Sequence, residues 1–380
     1  MGALMLPSNW QRVRLGDVAE IVGGGTPSTQ ITSFWNGSIN WFTPTEIGIT
    51  KYVYKSQRTI TPLGLKKSSA KLLPIGTILL TSRASIGDCA ILKMVATTNQ
   101  GFQSLIPLEK INNEFLYYLM LTLKNKLLEL ASGSTFLEVS PNKIKNLLIP
   151  LPPLDEQIAI ANILSDLDHY LYSLDALILK KESVKKALSF ELLSQRKRLK
   201  GFNQAWQKVR LGDICEITTG SLDANEMVHY GKYRFYMCAK EYYFIDKYAF
   251  DTEAILISGN GAYVGYVHYY KGKFNAYQRT YVLDNFSEHI IFVKYFLTMF
   301  LQSHIQTNRN EGNTPYIVMG TLKDFEIPLP PLNEQIAIAN ILSGLDHEII
   351  SLKNKKRQFD NIKKALNHDL MSAKIRVLKK

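Results

Sequence analysis

A chain of 380 residues, 46% hydrophobic and 21% charged, is too long for one ordinary core and apolar enough to fold, so two or more globular domains are expected. The formal net charge of +12 fits a polyanionic partner, because cations that neutralise phosphates release counterions; a protein that is merely basic shows the same balance. The three cysteines (Cys89, Cys215, Cys238) have no C-x-x-C spacing, which excludes a disulfide framework and a zinc site and suits a reducing cytosol, while the N-terminal MGALMLPSNWQRVRLGD lacks a signal-peptide core and the run Phe115 to Leu123 is about half of what a bilayer span needs.

In chain order, the first block, about 1–148, reads as α+β. Gly76 to Leu80 and Ala90 to Leu92 are strand-like, and Phe115 to Leu130 is helical. Glycine and polar turns punctuate it, as in Gly23-Gly24-Gly25-Thr26-Pro27, Trp35-Asn36-Gly37 and Thr98-Asn99-Gln100-Gly101. Next, Pro150, Pro152 and Pro153 impose an extended approach to Asp155-Glu156-Gln157, which opens a helix. Ile160, Leu164, Leu167, Leu171, Leu174 and Ile178 alternate by four and three, slip, and resume near Val184 and Leu188. About 40 helical residues are predicted, ending in Arg196, Lys197, Arg198 and Lys200, read first as solvated cations at a helix C-terminus and second as DNA or partner contacts.

The pattern then starts again. WQKVRLGD at 206–213 repeats WQRVRLGD at 10–17, an offset of 196 (206 − 10). IPLPPLNEQIAIANILS at 327–343 repeats IPLPPLDEQIAIANILS at 149–165, an offset of 178 (327 − 149), with Asn333 for Asp155 the one difference. Between these anchors the first copy is therefore longer by 18 residues (196 − 178). The second variable block, about 201–326, carries strand-like Ala254 to Ile257 and Tyr263 to Val267 and a helical stretch from Val293 to Gln306. The second helix shows Ile338, Leu342, Leu345, Ile349 and Leu352, then Phe359, Ile362 and Leu366, with a basic end at Lys374, Arg376, Lys379 and Lys380. Two such helices in one chain can bury their stripes on each other, antiparallel; two helices each packed on its own domain would give the same spacing. Duplication of a variable-plus-constant unit implies one shared job and two related, diverged jobs.

Enzyme motifs are missing. The sequence holds no G-x-x-x-x-G-K-[ST], no nucleophile elbow, no nuclease carboxylate–lysine cluster and no amino-methyltransferase motif around Pro152-Pro153 or Pro330-Pro331. Ser258 to Gly265 misses G-x-G-x-x-G and precedes a strand-like run.

Order, copy number and motifs together resemble the specificity subunits of type I restriction-modification systems. The two IPLPPLxEQIAIANIL segments look like that family's conserved regions. GGGTPS…FWNGSINWFTPTEI, TNQGFQSL and ILISGNGAYVGYVHYYKGKFNAYQRTYVL look like its target-recognition domains. The resemblance implies an α+β fold: two mixed α/β recognition domains (1–148 and 201–326) separated by two long helices (in 149–200 and 327–380) that pair as an antiparallel coiled coil with pseudo-two-fold symmetry. It implies a non-catalytic cytoplasmic reader of double-stranded DNA, each domain taking half of a split asymmetric target and the helices setting the gap. Two methyltransferase subunits and two motor-nuclease subunits would be partners, with no membrane. S-adenosylmethionine, ATP and Mg²⁺ would be bound by those partners, and no cofactor or metal by this chain. Candidate DNA contacts are Thr26, Trp41, Arg83, Asn99, Gln100, Ser134 and Thr135 in the first domain, and Asn260, Tyr263, Gln278, Arg279, Asn313 and Thr314 in the second, since Asn, Gln and Arg can bond bidentately to adenine or guanine edges. Partner docking is assigned to Glu156, Gln157, Glu334 and Gln335. A coiled-coil scaffold or decoy, or a stand-alone DNA-modifying enzyme, are the alternatives.

Overall fold

The structure, a computed structural model, describes residues 6–133, 137–308 and 315–377. The chain divides into two compact units. Unit 1 comprises Met1–Asp175 and Lys355–Lys380, and unit 2 comprises Ala176–Asn354.

Unit 1 contains strands β1 (Gln11–Arg14), β2 (Ala19–Gly23), β3 (Trp35–Phe42), β4 (Tyr52–Val53), β5 (Arg58–Ile60), β6 (Ile78–Leu80), β7 (Cys89–Leu92), β8 (Ala96–Thr98), β9 (Gln103–Pro107) and β10 (Leu148–Leu151). Its short helices are α1 (Pro62–Lys66), α2 (Asn113–Thr122), α3 (Lys124–Leu130) and α4 (Pro141–Lys145). A five-stranded sheet runs β2-β9-β6-β7-β4, and a three-stranded one β5-β3-β8. Every residue of β6 and β7 is buried, which is why both read as unbroken apolar runs. One face, with Ile78, Leu80 and Ile91, packs on Phe115, Tyr118 and Met120 of α2. The other, with Leu79, Ala90 and Leu92, packs on Phe42, Leu73 and Phe102. Asn112 caps α2 by accepting from the Phe115 amide at 3.0 Å. The single helix expected over 115–130 is in fact two, parted at Leu123, and it starts two residues early.

Unit 2 contains β11 (Gln207–Arg210), α6 (Leu211–Ile214), β12 (Glu216–Thr219), β13 (Tyr233–Tyr236), β14 (Tyr243–Ile245), β15 (Phe250–Ser258), β16 (Val267–Ala276), β17 (Thr280–Asp284), α7 (Ile290–Asn308), α8 (Met319–Lys323) and β18 (Glu326–Leu329). One six-stranded sheet runs β12-β17-β15-β16-β13-β14. Ile255 and Ile257 face Phe292, Phe296 and Leu297 of α7, while Leu256 faces Tyr236, Phe274 and Val282. Tyr263 to Tyr266, expected to be strand, form a turn instead. Gly261 (φ 79°) and Gly265 (φ 81°) adopt the left-handed conformation, and Gly265 N–H closes on Ser258 O at 2.8 Å.

The sequence anchors pair with each other. In unit 1, β1 lies antiparallel to β10, with Gln11 opposite Leu151. In unit 2, β11 lies antiparallel to β18, with Gln207 opposite Leu329. Each pair is an isolated two-stranded ribbon, a setting that tolerates the missing N–H of Pro150 and Pro328.

Two helices, α5 (Leu154–Leu193) and α9 (Leu332–Met371), are each 40 residues long, as the heptad spacing predicts. In unit 1, contacts descend along α9 as they ascend along α5: Asp168 with Lys363, Tyr170 with Phe359 (ring centroids 4.8 Å apart), Asp175 with Lys356 at 2.8 Å. In unit 2, Glu182 meets Lys353 and Lys181 meets Glu348, both at 2.6 Å, and Lys185 meets Asp346. Both sets are antiparallel. Two stripe positions do not enter this seam: Val184 and Ile362 are exposed. They correspond under the 178-residue offset, and in each case the next residue, Lys185 or Lys363, takes the facing position by pairing with an aspartate.

Candidate nucleic-acid interface

In unit 1 the chain leaves β2 through Gly24, which passes the β8–β9 turn so closely that a Cβ there would lie 1.9 Å from Asn99 O. Gly25 N–H then bonds Thr98 O at 2.8 Å, and the Thr26 hydroxyl donates to Gln100 Oε1. Asn99 Oδ1 accepts from Gly101 N–H at 2.8 Å, so this side chain shapes the turn. Ser82 N–H bonds Gly101 O at 2.8 Å, bringing Arg83 alongside, where it pairs with Glu138 at 2.8 Å. Thr26, Arg83, Asn99 and Gln100 are thus gathered into one loop cluster, with Gln100 exposed.

Trp41 is a correction. It is 3% exposed, with its indole N–H on Gly25 O at 2.8 Å. It ties down the loop at Gly25 from inside and has almost no exposed face. Trp35 does the same at Ser28 O, 3.0 Å. Ser134, Thr135, Asn313 and Thr314 lie outside the described residues.

Unit 2 builds the same frame from other residues. A Cβ on Gly220 would lie 1.9 Å from Ala276 O. Gln278 N–H bonds Leu222 O at 2.9 Å, and Gly259 N–H bonds Arg279 O at 2.8 Å, setting Asn260 beside Arg279. Asn260 bridges to Tyr316 as Arg83 does to Glu138. Gln278 and Arg279 are exposed, as is Tyr263, whose ring faces Lys240 Nζ at 5.5 Å. Gly24 and Gly220 obey the 196-residue offset and Gln100 and Gln278 the 178-residue one, so the 18 extra residues of the first copy fall between these two points. Chemically, each turn offers an amide and a guanidinium on a stiff frame, donors and acceptors suited to base edges.

The four docking candidates are corrected too, because their side chains are buried and occupied. Glu156 (1% exposed) takes Arg376 bidentately, at 2.6 and 2.9 Å, and the Trp10 indole at 3.0 Å. Glu334 (0% exposed) takes Arg198 at 2.9 and 2.7 Å and the Trp206 indole at 3.2 Å. Gln157 bonds Asn112 N–H, Lys110 O and Pro152 O, and Gln335 bonds His289 N–H, Glu288 and Pro330 O. They pin helix starts to the globular blocks and have nothing left for a partner. Arg198 and Arg376 are likewise not free helix-end cations. Each long helix stops before a left-handed residue, Gln195 (φ 62°) or Ala373 (φ 59°), and the chain then carries the arginine to its glutamate.

A second polar node recurs where each globular block meets the helices. In unit 1, Tyr118 O–H donates to Asp168 at 2.5 Å beside Lys51 and Ser165. In unit 2, Tyr295 O–H donates to Asp346 at 2.6 Å beside Ser343. Burial and then the aspartate bond push both phenols up. Burial opposes ionisation of Asp346, yet bonds from Lys185 and Tyr295 hold its carboxyl below the usual 3.8. A depressed carboxyl stabilises the fold above its unfolded pKa, and that stabilisation is lost as pH falls through the folded value. Asp346→Asn is therefore expected to lower stability at pH 7 and to flatten the acid limb below about pH 4, measured by urea titrations from pH 2 to 7; an unchanged acid limb would refute this.

Sequence reasoning missed Arg58, whose guanidinium lies 3.8 Å from the Trp35 ring centroid, and Arg234, 4.2 and 4.4 Å from the rings of Tyr242 and Tyr270. No local spacing shows such stacks, since strand pairing assembles them. Among the described residues no His, Cys, Asp and Glu group could hold a metal ion, and no helix is long and apolar enough to cross a membrane.

Two exposed polar turns on stiff sheets, with long helices pinned to each globular block by repeated glutamate–arginine pairs, define a duplicated architecture suited to recognition. The type I restriction modification DNA specificity domain matches residues 7–181 and 203–359, and the chain belongs to that family, whose specificity subunits are non-catalytic. It is 29% identical over 414 residues to the MjaIX specificity subunit of Methanocaldococcus jannaschii, covering 98% of this chain and 95% of that one. It is 38% identical over 170 residues to the EcoDI specificity subunit of Escherichia coli, covering 44% and 37%. Among solved structures, the type I S subunit of M. genitalium superimposes with a TM-score of 0.64 at 20% identity, over 97% of this chain and 98% of that one. The HsdS subunit of Thermoanaerobacter tengcongensis gives 0.55 at 19% identity, over 98% and 99%.

Proposed function

We propose that the turn of unit 1 (Thr26, Arg83, Asn99, Gln100) and the turn of unit 2 (Asn260, Tyr263, Gln278, Arg279) each read one half of a split, asymmetric double-stranded DNA target, with the helices setting the gap. The observation that carries this is one backbone frame built twice, with Gly24 and Gly220 in the same close approach and different side chains at its rim. The net charge of +12 supplies the phosphate attraction. Two methyltransferase subunits and two motor-nuclease subunits complete the assembly in the cytoplasm, and S-adenosylmethionine, ATP and Mg²⁺ belong to them. Because Glu156, Gln157, Glu334 and Gln335 are buried, docking falls to exposed surfaces around them.

Sequencing of methylated bases in a host carrying this chain and its methyltransferase tests the reading. A split asymmetric motif that vanishes when this chain alone is deleted is the expected result; methylation unchanged by the deletion would leave a scaffold or decoy. Gln278→Ala or Arg279→Ala is expected to relax preference at one position of one half-site, by roughly 1–3 kcal/mol per lost bidentate contact. Uniform weakening across sequences would make that residue a phosphate contact.

A further inference from the structure

The geometry points to Arg58 as a guanine-reading residue of unit 1, presented to DNA on the face of Trp35; this rests on the DNA-reading role proposed above. Four observations converge on it. Arg58 is exposed, and it makes no ion pair among the described residues. Its guanidinium lies 3.8 Å from the Trp35 centroid and 5.3 Å from that of Trp41, two indoles packed edge to face at 5.0 Å. Its backbone is fixed, with Arg58 O accepting from Ser56 Oγ at 2.6 Å, while Ser56 Oγ also receives Trp41 N–H and bonds Asn40. The same two indoles donate to Gly25 O and Ser28 O, the carbonyls that bracket Thr26 and so the loop bonded to Gln100.

The cation–π contact restrains the guanidinium over the Trp35 ring, and the exposure of Arg58 leaves its N–H donors open to a ligand. A phosphate contact needs charge and tolerates a swinging side chain. A bidentate contact to guanine O6 and N7 needs a fixed planar fork, which is what a rigid aromatic seat provides. Unit 2 carries a comparable aromatic-seated arginine on another strand: Arg234, on β13, lies 4.2 and 4.4 Å from the ring centroids of Tyr242 and Tyr270 and donates to the Tyr236 hydroxyl oxygen at 3.3 Å.

The test uses the full chain assembled with its methyltransferase subunits and duplexes varied at each position of the half-site read by unit 1. Arg58→Ala is expected to lower discrimination at one G·C pair by roughly 5- to 150-fold, and Arg58→Lys, which keeps the charge and loses the fork, is expected not to restore it. Uniform weakening that Arg58→Lys restores would overturn the assignment in favour of a phosphate contact. Unchanged preference in both variants, with Gln278→Ala still altering the other half-site, would overturn it and leave the proposed function standing. Absence of any sequence preference in the unaltered complex would sink both. Tryptophan fluorescence of each variant separates a folding defect from a recognition defect.

Discussion

Arg198→Ala is expected to cost unit 2 about 3–5 kcal/mol, more than Glu334→Ala. The asymmetry follows from burial. The Glu334 side chain is 0% exposed and that of Arg198 29%. Deleting the arginine strands an uncompensated carboxylate in the interior, with only the Trp206 indole left as donor among the described residues. Deleting the glutamate lets the guanidinium turn to water, so the loss is closer to its hydrogen bonds, about 1–3 kcal/mol. Arg198→Met with Glu334→Leu removes both charges and is expected to recover most of the stability. Denaturant titrations with Trp206 fluorescence order the three variants. Equal effects of the two single changes would mean that the carboxylate finds water, and that the pin is not a buried pair. Arg376→Ala is expected to act alike on unit 1 through Glu156.

Gly220→Ala is expected to erase recognition of one half-site while the other survives. The added methyl would sit 1.9 Å from Ala276 O and 2.2 Å from its carbonyl carbon, both backbone atoms, so the strand end or the turn carrying Gln278 and Arg279 must move. Overpacking of this kind costs about 1–3 kcal/mol, which a domain can survive, but side chains that read bases do not tolerate the displacement. Gly24→Ala should do the same to the other half-site. Gly344→Ala is the control: it lies within α9 with open space around it and should raise stability by roughly 0.5–1 kcal/mol. Methylated-motif sequencing of the three variants reads the outcome. A Gly220→Ala protein with both half-sites intact would show that the frame does not set the reader side chains.

Much of this was legible in one sequence because the duplication is nearly exact where it matters. Two offsets located both helices and their heptads. What stayed hidden was what buried polar groups face. Glu156-Gln157 and Glu334-Gln335 look like exposed helix starts in sequence. Their partners are 146 and 220 residues away for Glu156, at Trp10 and Arg376, and no local pattern announces them. Trp41 failed for a related reason. Strand pairing leaves it 3% exposed and its N–H is consumed by Gly25 O, neither of which local sequence shows. The strand expected at Tyr263 to Val267 was apolar enough, but two left-handed glycines bend it into a turn.

The interleaving of the units bears on how the chain matures during synthesis. Unit 2 is one continuous stretch, complete once Asn354 has been made. Unit 1 holds the first 175 residues, yet its core includes Leu370 and Met371, and its pin requires Arg376. The segment translated first is therefore finished last. At about 5–20 residues per second, it stands with one core face uncovered for roughly 10–40 s while the remainder is made. The later half of the molecule can thus complete its native contacts before the earlier half, and the interval before Arg376 arrives is when the first globular block is most open to misassembly.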